Sequence, residues 1–148
     1  LNIKTLQATY YSNIEMALQS TPKLILPHLN WSLARLKEVI EKEDTDYYRG
    51  AALQRFKLTY EIAIKAIQAF AEQEGEKISS DELCFQWIEE KQWLEKKTSW
   101  IKVIQNYNSV KNFSEEISRN KTYKELQTSY ELLNGIKESM NLVLNKKK

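Results

Sequence analysis

The chain is poor in the residues that punctuate β architectures. It has 3 glycines and 2 prolines among 148 residues. Sandwiches, barrels and propellers need many tight turns, so this shortage excludes them. Gly50, Gly75 and Gly135 stand alone in the sequence, which removes glycine-rich phosphate loops as well. A single cysteine, Cys84, leaves no internal disulfide, the usage expected of a reducing compartment. One histidine, His28, and that one cysteine cannot supply a His/Cys metal site. The longest uninterrupted apolar runs, Leu24-Ile25-Leu26 among them, are too short for a membrane span or a secretory core segment. Lys+Arg 22 against Asp+Glu 20 leaves a formal net charge of +2, and so even a balance does not call for nucleic acid or an acidic membrane. Leu1 in place of an initiating Met fits a trimmed start. The expectation is a cytoplasmic, all-α domain without metal or cofactor. At this length a compact chain buries about 70% of its unfolded surface, enough for a core without staples.

What the sequence has in abundance is helical periodicity. Ile3, Leu6, Tyr10, Ile14, Ala17 and Leu18 form one apolar stripe, ended by Ser20-Thr21-Pro22. Pro22 and Pro27 bracket a short connector, and the next helix is expected after Pro27, with Leu29, Leu33, Leu36 and Ile40 inward. Asp44 or Thr45 can cap a long helix over 46–74. Its residues Leu53, Phe56, Tyr60, Ala63, Ile67 and Phe70 predict the central element, and Gly75 a left-handed stop. Ser79 and Glu82 stand at capping-box spacing before Leu83, Cys84, Trp87 and Ile88. Thr98 can cap a helix carrying Trp100, Val103, Ile104 and Tyr107, and Ser114-Glu115-Glu116 starts another segment. Tyr123, Leu126, Tyr130, Leu133, Ile136, Met140 and Leu144 are nearly heptad-spaced, with Asn120 as the expected break and Lys146-Lys147-Lys148 at a helix end. Long helices with short connections predict an antiparallel up-and-down bundle of four or five helices plus an extra N-terminal helix. This divides the chain into an extension over 1–27 and a bundle over 28–148.

The long central helix carries the most distinctive polar residues. Glu61 and Lys65 stand at i and i+4, an ordinary helix pair on one reading. On the other, Gln54, Arg55 and Lys65 line a groove for a phosphate-bearing partner, since Arg suits bidentate phosphate contact. Residues Gln54-Arg55-Phe56-Lys57-Leu58-Thr59-Tyr60-Glu61-Ile62-Ala63-Ile64-Lys65 resemble the signature helix of the nucleotidyltransferase substrate-binding protein family, approximately Q-R-F-E-F-T-Y-E-L-A-W-K. Gln54, Arg55, Phe56, Thr59, Tyr60, Glu61, Ala63 and Lys65 match. Lys57 stands for the usual Glu, Leu58 for an aromatic and Ile64 for Trp. The resemblance covers about residues 29–133, continuing weakly through Trp100, Asn108 and Ser114-Glu115-Glu116.

The resemblance implies a HEPN-like bundle and a small homodimer. It implies a minimal nucleotidyltransferase as partner, in a two-gene module related to toxin–antitoxin pairs. The chain would bind that enzyme's substrate, with a nucleotide or RNA as candidate ligand, or be acted on by it. The binding residues expected on this basis are Gln54, Arg55, Glu61, Lys65, Asn108 and Asn112. Many HEPN relatives cut RNA through an R-N-x-x-x-H motif. The corresponding stretch is Tyr107-Asn108-Ser109-Val110-Lys111-Asn112. Asn cannot act as a general acid or base near neutral pH, and Tyr supplies no fixed cation. A non-catalytic binding role is therefore expected, with a degenerate HEPN ribonuclease as one alternative and nucleotidylation, for instance at Tyr107, as the other.

The remaining candidates have plain readings. His28 suits a surface or cap and Cys84 an inert core thiol. Glu89-Glu90 and Glu115-Glu116 suit solvated faces. The pairs Tyr10-Tyr11 and Tyr47-Tyr48 cannot share one narrow stripe, and Phe85 falls about 160° from Trp87 on a helical wheel. Some of Tyr11, Tyr47, Tyr48, Phe85 and Trp93 are therefore expected off the core, either covered by the N-terminal helix or at a dimer interface.

Overall fold

A computed structural model describes residues 21–94, 99–112 and 115–146. The stripe over 3–20, the Tyr10-Tyr11 pair, Thr98, Ser114 and Lys147-Lys148 lie outside the described residues. Among those described there are six helices and no strand: α1 (Pro22–Ile40), α2 (Asp46–Gln73), α3 (Asp81–Glu90), α4 (Trp100–Lys111), α5 (Glu116–Lys124) and α6 (Leu126–Lys146). The fold is an all-α bundle.

The α1 helix starts earlier than its prolines suggest. Thr21 is the cap, its Oγ1 accepting from the Leu24 N–H at 3.3 Å. Pro22 fills the first helical position, where no N–H is needed. Pro27 and His28 therefore lie inside the helix rather than in a connector, and the division at residue 27 falls within α1. An interior proline costs about 3 kcal/mol. The same turns bury Ile25, Leu26 and Leu29, each worth about 1.5–3 kcal/mol, so burial wins.

The central helix matches its sequence signals closely. Thr45 Oγ1 accepts from the Tyr48 N–H at 3.2 Å. At the other end the Glu76 N–H reaches the Ala71 carbonyl and the Gly75 N–H reaches that of Glu72, at 3.0 and 2.9 Å. Gly75 sits at φ +85, the left-handed conformation this closing motif requires. α2 packs against each of the other five helices. Phe56, Tyr60, Ala63, Ile67 and Phe70 are buried along it.

Three local expectations are corrected. The α3 cap is Ser80, whose Oγ accepts from the Leu83 N–H at 3.2 Å. Glu82 then sits one position too early to close a capping box with it. Leu83, expected to face the core with Cys84, Trp87 and Ile88, is turned to solvent, since the buried side of α3 is taken by those three and Phe85. Asn120 lies within α5, and the break falls at Glu125. There the chain passes from Thr122, buried against α4, to Leu126, buried in the core. Phe85 and Trp87 are both buried although they point to opposite sides of α3. On one side Phe85 stacks on Trp100 and meets Tyr60 at a tilt, and on the other Trp87 packs edge-on against Trp93. A helix covered on two sides has no single apolar stripe. Tyr47 is exposed, as expected, while Tyr48 and Trp93 pack half-buried against the core. Among the described residues no helix is long and apolar enough to cross a membrane.

Candidate functional site

The sequence over 54–65 separates into three directions once folded. Successive residues of an α-helix advance by about 100°, so Gln54, Leu58, Glu61 and Lys65 lie along one stripe. Gln54, Leu58 and Lys65 are exposed and Glu61 is half-buried. Phe56, Tyr60 and Ala63 point into the core.

Arg55 and Thr59 take the third direction, toward α1. Arg55 donates from Nη1 to the Arg35 carbonyl at 2.9 Å. The hydroxyls of Thr59 and Ser32 are 2.6 Å apart and fully buried, and Thr59 also donates to the Arg55 carbonyl at 2.7 Å. Ser32 opposite Thr59 and Arg35 opposite Arg55 make α1 and α2 run antiparallel. Arg55 is thus tied to a neighbouring helix and does not line a groove with Lys65.

Glu61 is brought to Tyr107 across 46 positions of sequence. The Tyr107 hydroxyl donates to Glu61 Oε2 at 2.7 Å. The Tyr107 ring lies on that of Tyr60, centroids 4.0 Å apart and planes 12° from parallel. Tyr60 in turn donates its hydroxyl to Asp81 Oδ2 at 2.8 Å, at the first turn of α3. Burial, and then the carboxylate each hydroxyl faces, pushes both phenol pKa values well above their ordinary 10.0. Both tyrosines are therefore fixed as neutral donors near neutral pH. Two cations stand beside this pair. Lys57 Nζ is 3.8 Å from Glu61 Oε2, and Lys111 Nζ lies 5.8 Å from the Tyr107 ring centroid. The ion pair on this stretch joins Glu61 to Lys57, one turn back, rather than to Lys65. Burial pushes the Cys84 thiol up to about 12, the Asp81 charge adding to it and Lys65 opposing it. This fits an inert core thiol.

The Asn108 and Asn112 side chains are exposed at the end of α4, and the Asn112 backbone N–H donates to the Asn108 carbonyl. Tyr107 is buried and turned about 140° away from Asn112, so the two ends of the degenerate motif do not converge. Among the described residues no group of His, Cys, Asp and Glu could hold a metal ion.

One polar cluster escaped the sequence reading. Asn106 is buried, donates to Glu125 Oε2 at 3.0 Å and accepts from Thr122 Oγ1 at 3.3 Å. A signal for it existed: Val103, Asn106, Tyr107 and Val110 share apolar helical spacing, and an amide at such a position needs a partner. Asn106 and Glu125 line a cleft between α4 and α6.

No protein-family description matches the chain, and no curated protein matches it.

Proposed function

We propose that this chain is a non-catalytic binding subunit with a HEPN-like bundle, which pairs with a separate small nucleotidyltransferase and holds or presents its substrate. The supporting observation is the outward stripe of Gln54, Leu58, Glu61 and Lys65. It spans about 16 Å at 1.5 Å per residue. It lies on the helix that every other helix packs against, so its side chains are carried on a rigid base. It mixes an exposed leucine with charged groups, the composition of a recognition surface more than of a solvated face. The resemblance of residues 54–65 to the signature helix supplies the class of partner.

The neutral, engaged Tyr60–Tyr107 pair supports binding over proton transfer, and Tyr107 and Asn112 in place of the arginine and histidine of the R-N-x-x-x-H motif weigh against a ribonuclease. Nucleotidylation of Tyr107 would first require release of a buried hydroxyl from Glu61.

The reading predicts a gene for a small nucleotidyltransferase next to this one, and the test is light scattering on the purified chain mixed with that enzyme. The reading predicts a stable complex, weakened about tenfold or more by Leu58→Arg, as loss of an interface anchor would. Failure of the native chain to associate overturns it.

A further inference from the structure

One side of the α1–α2 pair carries large apolar groups that no described helix covers. Ser32 meets Thr59 on the contact line between the two helices. Trp31 and Leu58 each stand one residue before that pair, about 100° round their own helix. Because the helices run antiparallel, both steps turn to the same side, away from the core. Leu24, seven residues before Trp31, lies on that side too. Leu24, Trp31 and Leu58 are 53%, 59% and 45% exposed. Ile62 and Ala69, about 60° and 80° round α2 from Thr59, are buried and give the groove between the two helices an apolar floor. Arg35 lies 5.7 Å from the centroid of the Trp31 ring and pairs with Glu38 at 3.2 Å. An exposed tryptophan beside an arginine on an apolar face has the make-up of an anchor for a packed helix.

The chain itself supplies that helix. Ile3, Leu6, Tyr10, Ile14, Ala17 and Leu18 form an apolar stripe at helical spacing, and such a stripe needs apolar surface to cover it. Leu18 is four residues before Pro22, so the stripe reaches the bundle at the Leu24 end of the groove. Thr21 is extended, at φ −126 and ψ 159, and Pro22 opens α1, so the stripe does not run on into α1 as one straight helix. Gln19-Ser20-Thr21 supply a connection of the length that joins two antiparallel helices. The lengths agree as well. Residues 3–20 as a helix would measure about 27 Å and α1 about 28 Å, at 1.5 Å per residue.

We propose that residues 3–20 fold back as a helix antiparallel to α1 and dock on the face of Leu24 and Trp31, along the groove between α1 and α2. Folding back at Thr21 brings Leu18 level with Leu24, Tyr10 with Trp31 and Lys4 with Glu38. This does not rest on the pairing with a nucleotidyltransferase, because Gln54, Glu61 and Lys65 lie on the far side of Leu58 from the groove.

The test is amide hydrogen exchange on the full chain, with no partner protein present. Residues 6–18 are expected to exchange about tenfold or more slowly than in an unfolded chain, the mark of a packed helix. Ile14→Asp should remove that protection from the stripe side. Leu24→Glu with Trp31→Glu should remove it from the α1 side, and both positions are exposed, so the bundle itself should stay folded. A second variant fixes which chain fills the groove. Lys4→Cys with Glu38→Cys is treated with a short bis-maleimide, Cys84 being buried and left unreacted, and a link within one chain is expected. The proposal is overturned by unprotected amides in the native chain, by protection that survives Leu24→Glu with Trp31→Glu, or by a link that is absent or joins two chains. Such a failure leaves the pairing untouched, and a failure to pair leaves this result standing.

Discussion

On the flank of α2 that meets α1, the polar groups are spent on joining the two helices: Thr59 to Ser32, buried, and Arg55, half-buried, to a backbone carbonyl. On the flank that meets α3 and α4, they are phenols facing carboxylates, Tyr60 to Asp81 and Tyr107 to Glu61, with Lys57 and Lys111 alongside. The first flank joins two helices and leaves little for solvent. The second places titratable groups at the edge of the core, where their ionisation is coupled to folding. Residues from one twelve-residue stretch serve both, so a polar residue in a distinctive motif is not by itself a site residue.

The largest expected difference between the flanks is in alkaline stability. Tyr60, Tyr107 and Cys84 all have raised pKa values in the folded chain. For an acid held neutral by the fold, the stabilisation is complete below the ordinary pKa. It is lost as pH rises above that value, because the unfolded chain gives up the proton first. Urea midpoints should therefore fall from about pH 9, the ordinary thiol value, and more steeply past 10 as the phenols join. Ser32→Ala, on the other flank, should leave the slope of that decline unchanged. A midpoint level up to pH 11 would show that the tyrosine flank is not dry.

Next is Tyr60→Ala, which removes a ring stacked on Tyr107 and buried against Phe85. Chemical denaturation should show a loss of about 3–5 kcal/mol. Tyr60→Phe keeps the ring and should lose only about 1 kcal/mol, the hydrogen bond to Asp81.

The α1 flank is sharpened by a pair of changes. Thr59→Val leaves the Ser32 hydroxyl buried without its partner and should destabilise by about 1–3 kcal/mol. Adding Ser32→Ala should recover most of that, since replacing both partners by apolar groups is nearly neutral. Additive losses in the double variant would mean that the two hydroxyls are not paired.

Smallest is Lys65→Ala, on the exposed stripe. Its effect on stability should stay within about 0.5 kcal/mol, the range of surface substitutions. If it weakens partner binding at that small cost, the stripe acts in recognition. A large loss of stability would place Lys65 with the structural residues instead.

Much of the fold was readable beforehand because its signals are local. The Thr45 cap, the apolar rhythm of α2 and the Gly75 stop each depend on residues within a few positions of one another. The misses share a cause. Pro27 inside α1, the break at Glu125 and the burial of Phe85 on the far side of α3 are each decided by what lies across from the segment. Local propensity was outweighed by burial there. In the candidate site, Glu61 and Lys65 were identified by spacing, but the partner of Glu61 is 46 residues away, and Arg55 proved to face another helix. Asn106 is hard to single out in the sequence because it falls within an apolar stripe.

Taken alone, the amino-acid order determined an all-helical chain, the span and both ends of its central helix, and most of the core. Caps, stops and periodicity act through neighbours in the chain, and folding does not reassign them. Only the packed bundle decided which polar side chains meet. Tyr107 against Glu61, Thr59 against Ser32 and Asn106 against Glu125 arise from helix against helix at separations that no local pattern encodes.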